Sequence, residues 1–119
     1  MKENAIKNKS FAFALRIVKA YQFLCEQKKE FVLSKQMLRS GTAIGALIRE
    51  AEQAESSADF IHKLAIALKE ANETEYWIEL LLQSNYLDDV VANSLKSDLT
   101  ELLKLLTSII KTTKQNNKR

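Results

Sequence analysis

The segment from Leu33 to Ala51 has the apolar periodicity of a helix, yet it carries both glycines of the chain. With 3.6 residues per turn, Gly41 and Gly45 fall on one face, beside Met37 and Ile44. An interior glycine costs a helix about 1 kcal/mol relative to alanine. Two glycines on a face that otherwise points toward the core therefore predict that another helix approaches closely there.

Four segments repeat apolar residues at helical spacing, and the chain has no proline. This pattern excludes a turn-rich all-β fold and favours long helices joined by short loops. Ser56 with Asp59 resembles a capping box, and Asp88 is positioned to cap the last helix. We therefore predict a single domain over residues 1–119, an all-α antiparallel up-down-up-down four-helix bundle. The predicted helices cover about 10–29, 33–55, 57–84 and 88–113, and a frayed basic tail follows at 115–119.

The first and third predicted helices are apolar on two sides. In the first, the expected core stripe consists of Phe11, Ala14, Leu15, Val18, Tyr21 and Cys25. The opposite side of this helix and the far side of the third would then leave a large apolar patch, which soluble monomers rarely tolerate. The chain is therefore predicted to form a homo-oligomer. The candidate interface residues are Phe13, Phe23, Leu24, Ile66, Trp77 and Leu80.

Charge is distributed unevenly along the chain, although the net charge is only +3. Residues 1–30 and the C-terminal tail are basic, whereas residues 56–86 are acidic. A basic end can bind phosphate, but it can equally be an ordinary solvated helix end whose cations complement the helix dipole. For the first alternative, the candidate nucleic-acid contacts are Lys35, Arg39, Lys111 and Lys114.

The sequence contains no recognisable catalytic constellation. His62 is the only histidine, and it follows Asp59 by three residues, but a di-metal bundle needs a second such motif and two further carboxylates. Cys25 has no neighbouring histidine motif to activate it. We therefore predict a protein that is not an enzyme and binds no cofactor or metal.

Two further features concern the cellular setting. Cys25 is the only cysteine and cannot form an intrachain disulfide, which indicates a reducing, cytoplasmic setting. No apolar run approaches the roughly 18 residues that would span a bilayer, so no membrane association is expected.

Three strings at matching spacing resemble one bacterial family: LSKQMLRSGTAIGALIREA (33–51), DFIHKLAIALKEANETEYWIELL (59–81) and NYL (85–87). The family comprises the four-helix-bundle proteins encoded in intervening sequences of 23S ribosomal RNA genes. It is related to the accessory proteins of diversity-generating retroelements, which are pentameric barrels that bind nucleic acid through a basic surface and engage a reverse transcriptase. The resemblance therefore implies a homopentamer and nucleic-acid binding. No enzymatic activity is established for the family as a whole.

One position departs from the family pattern. Many members have Asn before the Ile-Arg-Glu-Ala run, where this chain has Leu47. If that Asn serves binding, binding is altered here. If it serves packing, Leu47 is a tolerable substitute at the margin of the core stripe.

Two classes of function remain open. The first is a non-catalytic, oligomeric nucleic-acid-binding protein. The second is a structural or adaptor module that binds protein partners and no nucleic acid. A salt-dependent interaction with arbitrary RNA favours the first, and capture of a protein partner without RNA affinity favours the second.

Overall fold

The computed structural model describes residues 2–117, with side chains from Ala5 onward, and this part of the chain contains four helices and no strand. The helices are α1 (Lys2–Glu26), α2 (Leu33–Ala51), α3 (Ser57–Gln83) and α4 (Asp89–Asn117). Each packs against the next, α1 also packs against α4, and the diagonal pairs make no close backbone approach. The short connections make neighbouring helices antiparallel. The predicted four-helix bundle is therefore confirmed, with dimensions of 52 × 22 × 20 Å.

All four helices bury residues at alternating intervals of three and four. This seven-residue repeat averages 3.5 residues per turn, the period of left-handed coiled-coil packing, and it keeps one stripe of each helix on the bundle axis. The buried positions that follow this repeat are Ile6, Ser10, Phe13, Ile17, Ala20 and Leu24 in α1; Ser34, Met37, Gly41, Ile44, Ile48 and Ala51 in α2; Leu64, Ala67, Ala71, Thr74, Ile78 and Leu81 in α3; and Ala92, Leu95, Leu99, Leu102, Leu106 and Ile109 in α4. Ser40 in α2 is also buried, next to this stripe.

The stripe predicted to face the core in α1 is the wrong one. Phe13 and Leu24 are buried in the core of this single chain, whereas Phe11 and Leu15 are 50% and 51% exposed. Both stripes have helical spacing, so periodicity alone does not distinguish them. The buried stripe also contains Ile17, which packs directly against the glycine face of α2.

Four helix ends differ from the predicted bounds by three residues or more, and one of them is the end of α1, at Glu26 instead of about 29. α1 begins at Lys2, eight residues before position 10, and this first part is anchored by the buried Ile6. α2 ends at Ala51 because a tighter turn closes onto its last residues. α4 continues to Asn117, so residues 115–117 are helical where a frayed tail was predicted. The remaining tail residues, Lys118 and Arg119, lie outside the described part of the chain.

The glycines of α2 lie against α1, as predicted, but they are not equivalent. A Cβ atom added at Gly41 would stand 2.9 Å from both Cγ atoms of Ile17, closer than real Cβ contacts allow. A Cβ atom at Gly45 would stand 3.5 Å from the backbone oxygen of Ser10, an ordinary van der Waals distance. The close helix approach therefore depends on Gly41, whereas Gly45 has room for one methyl group.

Glu30 caps the N-terminus of α2 from within the loop that precedes it. Its buried carboxylate accepts backbone N–H groups from Val32 and Leu33 at 3.0 Å and from Ser34 at 2.6 Å. Burial alone would raise the pKa of Glu30, but these hydrogen bonds to the charged form outweigh it, and the pKa is lowered. The first turn of α2 is thus held by an ionised side chain.

The cap predicted for α3 is present in slightly altered form. Ser56 Oγ accepts the Asp59 N–H at 3.0 Å, and the Asp59 carboxylate accepts the N–H of Glu55 at 3.3 Å. In the standard capping box the second bond goes to the N-cap residue itself.

The turn predicted around residues 85–88 joins α3 to α4. Asn85 adopts the left-handed conformation (φ 69°), which Asn tolerates better than most residues. The N–H groups of Asn85 and Tyr86 return to the carbonyls of Leu82 and Leu81, the hydrogen-bond pattern of a Schellman motif. Asp88 Oδ1 then accepts the Val91 N–H at 2.8 Å and caps α4, as predicted.

Candidate nucleic-acid interface

Arg39 belongs to an ion-pair network between α2 and α3. Its guanidinium donates to both carboxylate oxygens of Glu70 at 3.3 Å and to the carboxylate of Glu73. Glu73 also accepts a hydrogen bond from Trp77 Nε1 at 2.9 Å. Two carboxylates therefore compensate the charge of Arg39, which makes it a weaker candidate for a phosphate contact, and that contact stays a prediction.

The same network shifts two protonation equilibria. Hydrogen bonds from Trp77 and then from Arg39 lower the pKa of Glu73. Hydrogen bonds to Glu73 and then to Glu70 raise the pKa of Arg39. Both shifts favour the charged forms, so an incoming phosphate would have to compete with the ionised Glu73 carboxylate for the guanidinium of Arg39.

Lys35 is exposed in the first turn of α2 and makes no ion pair with any carboxylate whose position the structure describes. Its charge is free, but the cation one turn further on is the compensated Arg39. Lys35 is therefore a free positive charge one turn before a compensated one.

Three exposed lysines share the outward side of the second half of α4. Lys111 and Lys114 were predicted as phosphate contacts, and Lys104 lies two turns before Lys111 on the same side. None of them is in an ion pair with a described residue. Shallow grooves along this surface also include Thr107 and Leu68, and no carboxylate lines them. We call Lys104, Thr107, Lys111 and Lys114 the α4 lysine face.

The four predicted phosphate contacts do not form one site. α2 and α4 run parallel in diagonal positions of the bundle, with Lys35 in the first turn of α2 and Lys111 in the last part of α4. At a rise of 1.5 Å per residue the two lysines are separated by about 30 Å along the bundle axis. Only Lys111 and Lys114 lie together, and the neighbouring Lys104 was missed because it is isolated from the basic tail in the sequence.

The predicted interface residues also separate in the structure. Phe13 and Leu24 belong to the core and are unavailable to another subunit. Ile66, Trp77 and Leu80 are half-buried, and Phe23 is 43% exposed. The assignment of Phe13 and Leu24 to an interface is therefore wrong. The cause is that the inward and outward stripes of α1 were assigned the wrong way round.

A different apolar surface is exposed on α1. Phe11 and Leu15 are one turn apart on its outward side, and the guanidinium of Arg49 from α2 lies 5.2 Å from the centroid of the Phe11 ring. We call Phe11 and Leu15 the outer α1 ridge. The sequence contained the signal, two apolar stripes on one helix, but the wrong stripe was assigned to the surface.

A groove separates α1 from α4 at the end of the bundle where the 84–88 turn lies. It encloses about 570 Å³. Its residues combine an apolar floor, aromatic side chains and three cations, and we call it the α1–α4 groove. They include Arg16, Lys19, Ala20, Phe23, Lys28, Tyr86, Leu87, Asp88, Val91 and Leu95.

Across the described residues, no three His, Cys, Asp or Glu side chains lie close enough together to hold a metal ion. His62 is exposed near the start of α3, and Cys25 is half-buried with its Sγ 3.8 Å from the Glu30 carbonyl oxygen. No helix between residues 2 and 117 combines the length and apolarity needed to cross a bilayer.

The fold defines an all-α protein of the up-down-up-down four-helix-bundle class. Residues 2–108 match the model of the 23S rRNA-intervening sequence protein family, and the chain belongs to this family. A crystal structure of a protein of unknown function from the S23 ribosomal protein family of Bacteroides thetaiotaomicron VPI-5482 superposes with a TM-score of 0.92. The two are 63% identical over 93% of this chain and 99% of the other. Comparison with curated proteins finds no match.

Leu47, where many members of the family have Asn, is half-buried and packs against the core. Its contacts are those of a packing residue at the margin of the α2 stripe. A polar function at this position is absent from this chain.

Proposed function

We propose that this protein is a non-catalytic nucleic-acid-binding protein that contacts phosphates through the α4 lysine face. The observation that supports this most directly is the group of three exposed, uncompensated lysines on one side of α4, with no carboxylate in the grooves beside them. Among the other cations whose side chains the structure describes, six are in ion pairs: Lys7, Lys9, Arg16, Arg39, Lys63 and Lys96.

The chemistry of this face favours backbone binding over base recognition. Lysine ammonium groups are strongly hydrated point charges on flexible stems, and they contact phosphates without reading sequence. The Thr107 hydroxyl adds a neutral hydrogen-bond partner between Lys104 and Lys111. Binding should therefore be weak, salt-sensitive and nearly independent of sequence.

Self-association would place several α4 lysine faces in one assembly and would therefore increase the affinity for nucleic acid. The outer α1 ridge is one exposed apolar surface available for self-association, and the family resemblance implies a pentamer. Five chains at +3 each would carry about +15, a field that attracts polyanions at low salt. We assign this activity to the cytoplasm, where a lone thiol such as Cys25 stays reduced.

A charge-matched pair of variants tests the proposal. Lys111→Gln/Lys114→Gln removes two charges from the α4 lysine face, and Lys29→Gln/Lys35→Gln removes two exposed charges from the opposite end. With a labelled RNA of arbitrary sequence near 50 mM salt, we expect the α4 variant to lose at least about ten-fold in affinity and the control less than about three-fold. Equal losses would show that only net charge matters, and no binding by any form would contradict the proposal.

The adaptor alternative keeps one observation in its favour. Phe11 and Leu15 form an exposed apolar surface beside the cation of Arg49, a combination that suits a protein partner. If the intact protein binds no RNA or DNA but captures a protein through a surface abolished by Phe11→Ser, this second function replaces the first.

A further inference from the structure

The α1–α4 groove is large enough for a small ligand and has an apolar interior. Its volume of about 570 Å³ lies within the usual range of small-molecule sites. Ala20, Leu87, Val91 and Leu95 supply apolar surface between the two helices. A planar apolar group could lie against this surface without burying a charge.

Two aromatic side chains border that surface. Phe23 from α1 is 43% exposed, and Tyr86 from the 84–88 turn is half-buried. Lys28 Nζ lies 5.9 Å from the centroid of the Phe23 ring, which puts a positive charge beside the aromatic face. Aromatic faces next to cations are the arrangement on which proteins stack unpaired bases.

The charges of the groove are unbalanced. Arg16 is committed to Asp98 at 2.6 Å, but Lys19 and Lys28 make no ion pair with a described carboxylate. The only carboxylate in the groove is Asp88, which accepts the Val91 N–H as the cap of α4. An anionic group at the groove would therefore meet two free lysines.

We infer that the α1–α4 groove binds one nucleotide unit, with its base on Phe23 and the apolar floor and its phosphate near Lys19 and Lys28. The unit is either a free nucleotide or an unpaired residue of a strand, because both present a planar base beside a phosphate. Where it belongs to a strand, this inference rests on the nucleic-acid binding proposed above. Binding of a free nucleotide does not.

The first experiment uses the free ligand and the full-length protein. Adenosine monophosphate and inorganic phosphate are titrated separately while amide shifts are followed by NMR. We expect adenosine monophosphate to shift residues around Phe23 and Tyr86, and to bind at least about five-fold more tightly than phosphate. Phe23→Leu should abolish this preference, since it removes the stacking face but keeps an apolar side chain. Phe31→Leu, at an exposed aromatic outside the groove, is the matched control and should change nothing.

Equal affinities for phosphate and adenosine monophosphate would reduce the groove to an anion site and overturn the inference. Shifts confined to other surfaces would overturn it as well. Dissociation of an oligomer by Phe23→Leu, detected by light scattering, would identify the groove as a contact between copies and also refute nucleotide binding. Thermal melting of each variant checks that the bundle is folded.

The second experiment separates this inference from the proposed function. A single-stranded RNA and a blunt duplex of the same length are compared, because only the single strand offers unpaired bases. Phe23→Leu should weaken single-strand binding at least about five-fold and leave duplex binding unchanged, whereas Lys111→Gln/Lys114→Gln should weaken both. If the wild-type protein binds adenosine monophosphate but neither RNA, the proposed function is refuted and the inference for a free nucleotide is not. Unchanged single-strand binding by Phe23→Leu would refute the strand form of the inference.

Discussion

The two glycines of α2 show how much a single atom determines at the contact between α1 and α2. At Gly41 a Cβ atom would overlap Ile17, whose branched side chain is fully buried and cannot rotate away easily. At Gly45 the same atom would meet Ser10 at an ordinary distance. The sequence predicted a close helix contact at both positions, but it could not rank them, because the ranking depends on which α1 residue faces each glycine.

Gly41→Ala and Gly45→Ala should therefore change the free energy of unfolding in opposite directions. Each replacement gains about 1 kcal/mol of helix propensity. At Gly41, overpacking of about 1–3 kcal/mol outweighs this gain, so chemical denaturation should show a net loss. Gly45→Ala should be neutral or stabilising.

A double-mutant cycle with Ile17→Ala tests whether the loss of stability in Gly41→Ala comes from contact with the Ile17 side chain. The cavity left by Ile17→Ala should accept the new methyl group, so Gly41→Ala should cost nothing in that background. A penalty of unchanged size there would place the steric conflict elsewhere.

Glu30 makes the stability of the bundle depend on pH. Because its pKa is lowered in the folded state, its contribution is present above the unfolded pKa, near 4.5, and is lost as pH falls through the folded value. Glu30→Gln should therefore be less stable than the wild type by about 1 kcal/mol at pH 7, the usual size of a lost cap. The difference should shrink as the pH is lowered below about 4. A difference that stays constant between pH 7 and pH 3 in urea titrations would show that ionisation of Glu30 is not involved.

The sequence predicted that α1 is a helix, but it did not predict which of its two apolar stripes faces the core. The two stripes have the same period, and periodicity predicted a helix without deciding which side enters the core. The choice is made by packing: Phe13 and Leu24 fill the interior and Ile17 meets Gly41, leaving Phe11 outside. In α2 the predicted core face, with Met37, Gly41 and Ile44, is buried as expected.

The orientation of α1 can be tested by comparing the folding free energies of two alanine variants. Phe13→Ala should cost about 3–5 kcal/mol of folding free energy, because it opens a cavity in the core. Phe11→Ala should change stability by only about 0.5 kcal/mol, as expected at an exposed position. Both values come from urea titration of dilute protein, where association contributes least. A larger loss at Phe11 than at Phe13 would contradict the assigned orientation of α1.

The predicted nucleic-acid contacts show a second limit of what can be predicted from the sequence. Exposure of Arg39 followed from its position on α2, but its compensation by Glu70 and Glu73 did not, because these partners are 31 and 34 residues away. Lys111 and Lys114 make no ion pair with a described residue, and their contact with nucleic acid stays a prediction.

At the scale of the whole molecule, the outer α1 ridge is where self-association is expected. Light scattering at micromolar concentration should give a mass several times that of one chain, and Phe11→Ser/Leu15→Ser should lower it while the circular dichroism spectrum stays helical. Phe31→Ser, at a loop position that is also exposed, should leave the mass unchanged. If the wild-type protein is monomeric under these conditions, the charges of several chains are not combined, and self-association does not strengthen nucleic-acid binding.

The salt dependence of RNA binding shows directly whether the α4 lysine face contacts phosphates. If the α4 lysine face binds phosphates, the logarithm of the association constant should fall linearly with the logarithm of salt concentration, and its slope gives the number of phosphates contacted. Lys111→Gln/Lys114→Gln should flatten this slope by about one for each phosphate contact removed, and Lys29→Gln/Lys35→Gln should leave it unchanged. A slope that is the same for all three proteins, or an association constant that does not respond to salt, would contradict the claim.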